Sequence, residues 1–437
     1  MNHFTAIPVS LLIIMLGATG LSTWAADTTV RADDPLSLKD ALETAYLHNW
    51  DLLAAKAQVN LADAQRIVSR EFPNPILAGS VSKINVNGQP AHTVDGNGFG
   101  DRSYDTIVAV NQLVEIGGKR QNRRESAVAG FEAAKARFAE ARRQLDLGVA
   151  KAYVGVLLAE ETSRVLRDSA GSLRQEATIN AARLKAGDIA TNDFLQIEVA
   201  SSRLELDAQT AADAAVTARV QLVNLLGLPP ASRNITLTDN LGGLLQASDE
   251  GSANSDGSAM ATVLERPDVV AARKDIAKAE ADLRLARSQR IPDPTFSFQW
   301  EHEPPDQNQT VGMGLSLPLP LWNRNRGAIA AAEANVAAAQ ASLHRLELAA
   351  AADLVIARNQ LDTALRRQRE YTASLVPKSS AVRESLLYAY QKGGASLIDL
   401  LSAQRTDNEL RLAAAQASAD AVNARIALRA ALAKSKD

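Results

Sequence analysis

Two runs of this chain, Lys119 to Ala186 and Arg324 to Lys392, each extend for roughly 68 residues without a clear helix-stop signal. At 1.5 Å per residue each would make about 100 Å of helix, longer than any globular core requires. Along the first run Leu145, Val149, Ala152, Val156, Ala159, Ser163, Leu166, Ala170, Leu173, Ala177, Asn180 and Leu184 recur at alternating spacings of four and three. That is a heptad seam, and its small residues let neighbouring helices approach closely. A glycine reversal follows each run, at Gly187 and at Gly393-Gly394, and leads into a return helix, Asn192 to Leu226 and Leu397 to Ala433. The sequence therefore predicts two long helical hairpins, the second kinked at Pro377.

The hairpins belong to a larger duplication. Asn49-Trp50-Asp51-Leu52-Leu53-Ala54-Ala55 recurs as Arg266-Pro267-Asp268-Val269-Val270-Ala271-Ala272, and Phe72-Pro73-Asn74-Pro75 as Ile291-Pro292-Asp293-Pro294. Val114 to Arg120 lies opposite Leu319 to Asn325, and Gly187 to Leu195 opposite Gly393 to Leu401. Four landmarks in the same order are hard to obtain by chance from Ala-rich helices. Each copy opens with a helix (Leu36 to Val68; Met260 to Arg290) that a Pro-x-Pro landmark ends. The reading is a first repeat over 26–228, a linker or equatorial segment over 229–258 that is Ser/Gly/Asp-rich from Gln246, and a second repeat over 259–437.

After the proline landmark each copy carries two short segments with strand periodicity, 76–86 with 104–114 and 295–301 with 310–319. Val311, Met313, Leu315, Leu317 and Leu319 fall on one face, while Thr310, Gly312, Gly314, Ser316 and Pro318 fall on the other. Phe296, Phe298 and Trp300 repeat the pattern in the partner. The connections, Asn87 to Ser103 and His302 to Gln309, read as exposed hairpin loops. Strands of about ten residues that alternate apolar with polar or small residues match the length that crosses a bilayer when tilted. Four strands cannot close a barrel, and an open edge in lipid leaves unpaired backbone groups costing several kcal/mol each. Copies must therefore combine. Two would give eight strands and three would give twelve, with the helices forming a coaxial tube.

Composition removes other classes. The chain has 47 Lys+Arg against 50 Asp+Glu, a formal charge of -3 with both signs interspersed, so there is no basic footprint for nucleic acid. With no Cys there is no disulfide, thiol nucleophile, Cys-rich zinc site or lipid attachment on cysteine. The first 26 residues carry no Lys, Arg, Asp or Glu and hold the run Val9 to Leu16 followed by Thr23-Trp24-Ala25, which reads as a secretory signal peptide, 1–25, cut after Ala25. The n-region lacks the usual Lys or Arg. No later segment reaches the uninterrupted apolar length of a transmembrane helix. His302-Glu303-Pro304-Pro305-Asp306 begins like a zinc-protease box, but its prolines forbid the helix that would align two ligands. Gly96-Asn97-Gly98-Phe99-Gly100 precedes no helix and is no phosphate cradle. His48, His92, His302 and His344 lack ligand spacing, so no bound metal, cofactor or enzymatic activity is expected.

In its order of elements, duplication and long hairpins the whole mature chain resembles the TolC-like outer-membrane efflux factors. Phe72-Pro73-Asn74-Pro75, Glu115-Ile116-Gly117-Gly118-Lys119-Arg120 and Pro318 to Gly327 look most like its CzcC-type heavy-metal subfamily. The resemblance implies a mainly α-helical homotrimer with a twelve-stranded outer-membrane barrel joined to a periplasmic helical barrel. It also implies docking to a periplasmic adaptor (a membrane fusion protein) and to an inner-membrane resistance-nodulation-division pump, with divalent cations as cargo. The family's pair of acidic gate residues falls on Asp399 and Ser402, so one carboxylate is kept. A ring of Asp399 would attract cations and respond to pH; the alternative is a helix N-terminal acid interacting with the dipole. Tyr390 and Asp193 fall where the family places a hydrogen-bonded latch, while its accompanying arginine falls on Ala395. The hairpin tips at Gly187, Asp188, Gly393 and Gly394 are the implied adaptor contacts, although turn geometry alone could explain the glycines. Two other readings compete: the same channel with drugs or secreted proteins as cargo, and a periplasmic adaptor or coiled-coil scaffold, which would have one hairpin and no membrane strands.

Overall fold

The computed structural model describes residues 35–82, 105–232, 234–246, 261–303 and 307–432. Residues 1–25, expected to be a signal peptide, the Asn87 to Ser103 connection with its glycine cluster and His92, and the Ser/Gly/Asp-rich stretch after Gln246 lie outside the described residues.

The first repeat starts with α1 (Leu38–His48) and α2 (Trp50–Val68), followed by β1 (Ile76–Ser82), β2 (Asp105–Leu113), α3 (Lys119–Ala186) and α4 (Thr191–Leu225). A short helix, α5 (Leu241–Gln246), leads toward the second repeat: α6 (Pro267–Ser288), β3 (Thr295–Glu303), β4 (Gln307–Ser316), α7 (Arg326–Glu370), α8 (Val376–Gln391) and α9 (Leu397–Ala431). Two expected helices are shorter than the sequence suggested. Leu36 to Val68 is broken at Asn49, which ends α1 with extended backbone and caps α2 by accepting from the Leu52 amide. Its Nδ2 also donates to the Leu225 carbonyl at 2.9 Å, tying the break to the end of α4. Met260 to Arg290 holds its long helix only from Pro267, which takes the first turn where a missing N–H costs nothing.

The long helix α3 is continuous over 68 residues. Its seam residues Leu145, Val149, Val156, Ser163, Ala170, Leu173 and Asn180 are buried. The second long run is interrupted as Pro377 requires. A π-helical turn at Tyr371–Leu375 separates α7 from α8 and absorbs the proline's missing donor and ring bulk.

The strands form one antiparallel sheet in the order β1-β2-β3-β4, so β2 and β3 join the two repeats and β1 and β4 are open edges. The boundaries move from those read in the sequence. The described part of β1 ends at Ser82, β3 runs on to Glu303, and β4 begins at Gln307 and stops at Ser316. His302, Glu303 and Gln307 to Gln309 therefore belong to strands, with Glu303 opposite Gln307, while residues 304–306 of that stretch lie outside the described residues. Leu317 and Leu319 extend the apolar pattern beyond the paired strand.

The duplication also needs one correction. Gly118 and Asn325 both precede the long helices with left-handed backbone, φ 77° and 57°. The structure thus matches Gly118 to Asn325, two positions away from the sequence alignment. Both residue types tolerate that conformation.

A core packs where α1, α3, α4 and the inter-repeat segment meet, around Leu36, Val149, Tyr153, Val156, Leu222 and Leu226. Tyr153 is fully buried, and its hydroxyl lies 2.9 Å from both the Asp239 carboxylate and the Leu36 carbonyl. Asp239 also accepts from the Leu38 amide, and Leu36 pairs with the segment at Thr236 and Thr238. The inter-repeat segment is thus strapped across the middle of the first hairpin.

Candidate functional site

The two hairpin tips are built alike. The Asp188 amide donates to the Arg183 carbonyl and that of Gly187 to Leu184, while the Gly394 amide donates to Ala389 and that of Gly393 to Tyr390. Each is a helix ending that needs one left-handed residue, supplied by Gly187 (φ 83°) and Gly393 (φ 79°). A Cβ at either would meet nothing within 4 Å, so backbone conformation alone calls for glycine. Gly394 has no such φ, and Asp188 is an exposed turn residue.

Asp193 and Asp399 occupy matching places, the third residue of each return helix. An acid there faces the positive end of the helix dipole. Asp399 does more, because Ser396 caps α9: the Ser396 hydroxyl donates to the Asp399 carboxylate at 2.7 Å and accepts from the Asp399 amide at 3.2 Å. This capping box gives Asp399 a part in capping the helix. Asp399 and Ser402 are both exposed and line one cleft of about 490 Å³ with Leu375, Lys378, Val382 and Leu386.

The expected bond between Tyr390 and Asp193 is absent within the protomer. The Tyr390 hydroxyl donates instead to Asn180 Oδ1 at 2.7 Å, and Asn180 Nδ2 donates to the Glu176 carbonyl. Both side chains are buried, and the Arg183 guanidinium lies 5.5 Å from the Tyr390 ring centre. Burial raises the Tyr390 hydroxyl above the ordinary tyrosine range, with Arg183 opposing the shift and the charge of Asp193 adding to it. Asn180 belongs to the heptad seam, and a polar residue at a seam position was the available signal for this tie.

Farther from the tip, α9 carries adjacent residues that bind different partners. Asn408 accepts from Ser169 of α3 at 2.7 Å. Asp407, almost fully buried, accepts from Ser379 at 2.7 Å, Ser380 at 3.0 Å and Arg411 at 2.8 Å, and pairs with Arg383. Burial pushes the Asp407 carboxyl up, but the Ser379, Arg411 and Ser380 donors outweigh it and hold the group below the usual range. Sequence reasoning missed this cluster, since i,i+4 acid and base residues on a helix ordinarily mark a solvated face.

The sheet has two chemically distinct faces. Leu77, Val110, Phe298 and Met313 lie directly opposite one another across the strands, as do Val108, Trp300 and Val311. This face is exposed, Met313 to 89%. The other face carries Ala78, Ala109, Gln299 and Gly312 in one row and Ser80, Ile107, Glu301 and Thr310 in another. A Cβ at Gly312 would crowd the Gln299 side chain at 3.1 Å, so the glycines of β4 make room on the polar side. Among the described residues no helix is long and apolar enough to cross a membrane, and no group of three His, Cys, Asp or Glu is arranged to hold a metal.

A sheet with one apolar and one polar face, open at both edges and set on two long helical hairpins, is the architecture of a membrane-channel subunit. The comparisons agree. The outer membrane efflux protein family profile matches residues 41–228 and 261–434, and the chain belongs to that family. It is similar to the cobalt-zinc-cadmium resistance protein CzcC of Cupriavidus metallidurans, 25% identical over 389 residues that cover 87% of this chain and 86% of the relative. It is also similar to the pyoverdine export outer membrane protein OpmQ of Pseudomonas aeruginosa, 26% identical over 60% of this chain and 55% of that one. Among solved structures its fold matches CusC with a TM-score of 0.76 at 19% identity, covering 90% and 91% of the two chains. VceC of Vibrio cholerae matches with a TM-score of 0.73 at 20% identity, covering 91% and 96%. The protein is an outer-membrane efflux channel and not an enzyme or an adaptor.

Proposed function

We propose that three copies close a twelve-stranded barrel in the outer membrane, continued by their hairpins into a periplasmic tube, and that this duct exports divalent heavy-metal cations. The observation that carries the cargo is the similarity to CzcC over nearly the full length of both chains. The three-copy assembly is supported by the open edges β1 and β4, whose backbone groups need partners in lipid. The duct is passive. A periplasmic adaptor contacts the tips at Gly187, Asp188, Gly393 and Gly394, and an inner-membrane pump of the resistance-nodulation-division class supplies the energy. Residues 1–25 direct export.

In the trimer Asp399, Ser402, Asp193 and Tyr390 surround the periplasmic entrance. Three Asp399 carboxylates concentrate cations there, and Tyr390, held by Asn180, sets the position of the second hairpin against the first. A second reading keeps the duct and changes the cargo to an organic molecule, drug or secreted protein, favoured by the shorter match to OpmQ. Deleting the gene in its host separates the two. The proposal expects sensitivity to cobalt, zinc, cadmium or nickel, restored by the intact gene. Unchanged metal tolerance with new sensitivity to organic compounds would favour the second reading.

A further inference from the structure

The junction between sheet and helices departs in charge from the rest of the chain. Arg70, Arg120, Arg124, Arg290, Arg324 and Arg326 gather at the end of the sheet where strands meet helices, and among the described residues none has a carboxylate partner. The other cations there are neutralised: Lys119 by Asp293, Arg123 by Glu115 and Arg287 by Glu333. Glu125 is taken by Arg284, which among the described residues at this junction leaves Glu71 as the one carboxylate without an ion pair. Six unpaired arginines against one free acid, in a chain of formal charge -3, make a local basic collar.

The collar has apolar and aromatic companions. A cleft of about 680 Å³ is walled by Phe72, Pro73, Pro75 and Val114 and also lined by Arg120 and Arg124. The Arg120 guanidinium stacks 3.6 Å from the Phe72 ring centre, and its Nε donates to the Arg70 carbonyl. At the other edge of the sheet, after β4, Leu317, Leu319 and Leu321 continue the odd-numbered positions of the lipid-facing row and are exposed. Trp322, 92% exposed, follows them and leads directly to Arg324 and Arg326.

These two groups lie on opposite edges of one protomer. In the three-copy assembly proposed above, on which this step rests, β1 of one copy pairs with β4 of the next. That pairing brings the Phe72 cleft beside the next copy's Trp322, Arg324 and Arg326, at the periplasmic rim of the apolar band. Unpaired arginines and an amphipathic indole at that depth suit a phospholipid: the chain tails on the exposed leucines, the indole at the headgroup level, the phosphate on guanidinium groups. We propose that each seam between copies holds an anionic phospholipid headgroup of the inner leaflet, bound jointly by Arg120 and Arg124 of one copy and Arg324 and Arg326 of its neighbour.

The full-length protein, extracted from outer membranes in mild detergent, can be titrated with cardiolipin, phosphatidylglycerol or phosphatidylcholine and read by native mass spectrometry. The wild type should appear as three copies that retain the two anionic lipids in preference to phosphatidylcholine. Apparent affinity should fall about fivefold for each arginine removed in the series Arg124→Gln, Arg324→Gln and Arg326→Gln. The matching lysine variants should keep most of the preference. Equal retention of the neutral lipid, or an unchanged preference in the triple glutamine variant, would overturn the lipid site while leaving the trimer intact. A triple variant that falls apart in lipid-free detergent would also overturn it, because the arginines would then hold protein and not lipid. A wild type that is not trimeric would remove the assembly reading and the joint seam together.

Discussion

Asn180 shows how much one side chain decides near the hairpin tips. It sits 1% exposed in the α3 seam and accepts a hydrogen bond from the Tyr390 hydroxyl, so Tyr390→Phe would strand a buried amide oxygen and cost about 1–3 kcal/mol locally. The expected result is a second hairpin that exchanges amide hydrogens faster near its tip; unchanged protection there would deny the tie. Asp399→Ala should lower cation selectivity in planar bilayers, since one carboxylate per copy is lost at the proposed entrance. Unaltered selectivity would leave Asp399 as a helix cap alone. Glycines separate by cause. Gly227 combines φ 76° with a clash against the His48 carbonyl for any added Cβ, whereas Gly187 has open space. Gly227→Ala should therefore cost more than about 2 kcal/mol and Gly187→Ala only about 1–2 kcal/mol, compared by thermal unfolding. The glycine reversals could be read from the sequence because the helix-ending motif is local. Gly227 ends α4 in the same local motif, but the His48 carbonyl that closes on it comes from far away in the chain and could not be read.

At the scale of elements, the helices were legible where their signal is local and periodic. Continuous α3 follows from a heptad seam without breakers, and the interruption before α8 follows from Pro377. The break at Asn49 was hidden because an Asn within an apolar period looks like any surface helix residue; its cap on the Leu52 amide and its bond to Leu225 together fix the bend. Strand ends moved for a related reason: ladder pairing between Glu303 and Gln307 extends β3 and β4 into residues whose polarity reads as loop. The Asp407 cluster couples α8 to α9 just past the π-helical turn. Because the folded carboxyl is depressed, its contribution is complete above the ordinary aspartate value of 3.8 and is lost as pH falls through the folded value. Asp407→Ala should destabilise the second hairpin by about 1–3 kcal/mol near neutral pH, with half-exposed Arg411 screened by solvent. The difference from wild type should vanish in strong acid. A deficit that persists there would mean that packing, not charge, is what the substitution removes.

For the whole molecule, the decisive property is which face of the sheet meets lipid. Met313→Arg on the apolar face should cost about 2–4 kcal/mol and reduce the folded fraction in membranes, while Ser80→Lys on the polar face should be close to neutral. Similar losses at both positions would contradict the assignment. The channel class was legible because strand alternation, duplication and helix length all point to shared walls, and the family match agrees. The number of copies was not, since four strands per chain satisfy both an eight-strand and a twelve-strand closure. Nothing in one protomer fixes the curvature. Electron cryomicroscopy of the full-length protein in lipid nanodiscs measures it directly. Threefold symmetry, with β1 of each copy hydrogen-bonded to β4 of the next around one water-filled bore, is the predicted result. A twofold particle closed by eight strands, or single copies with unpaired β1 and β4, would contradict it.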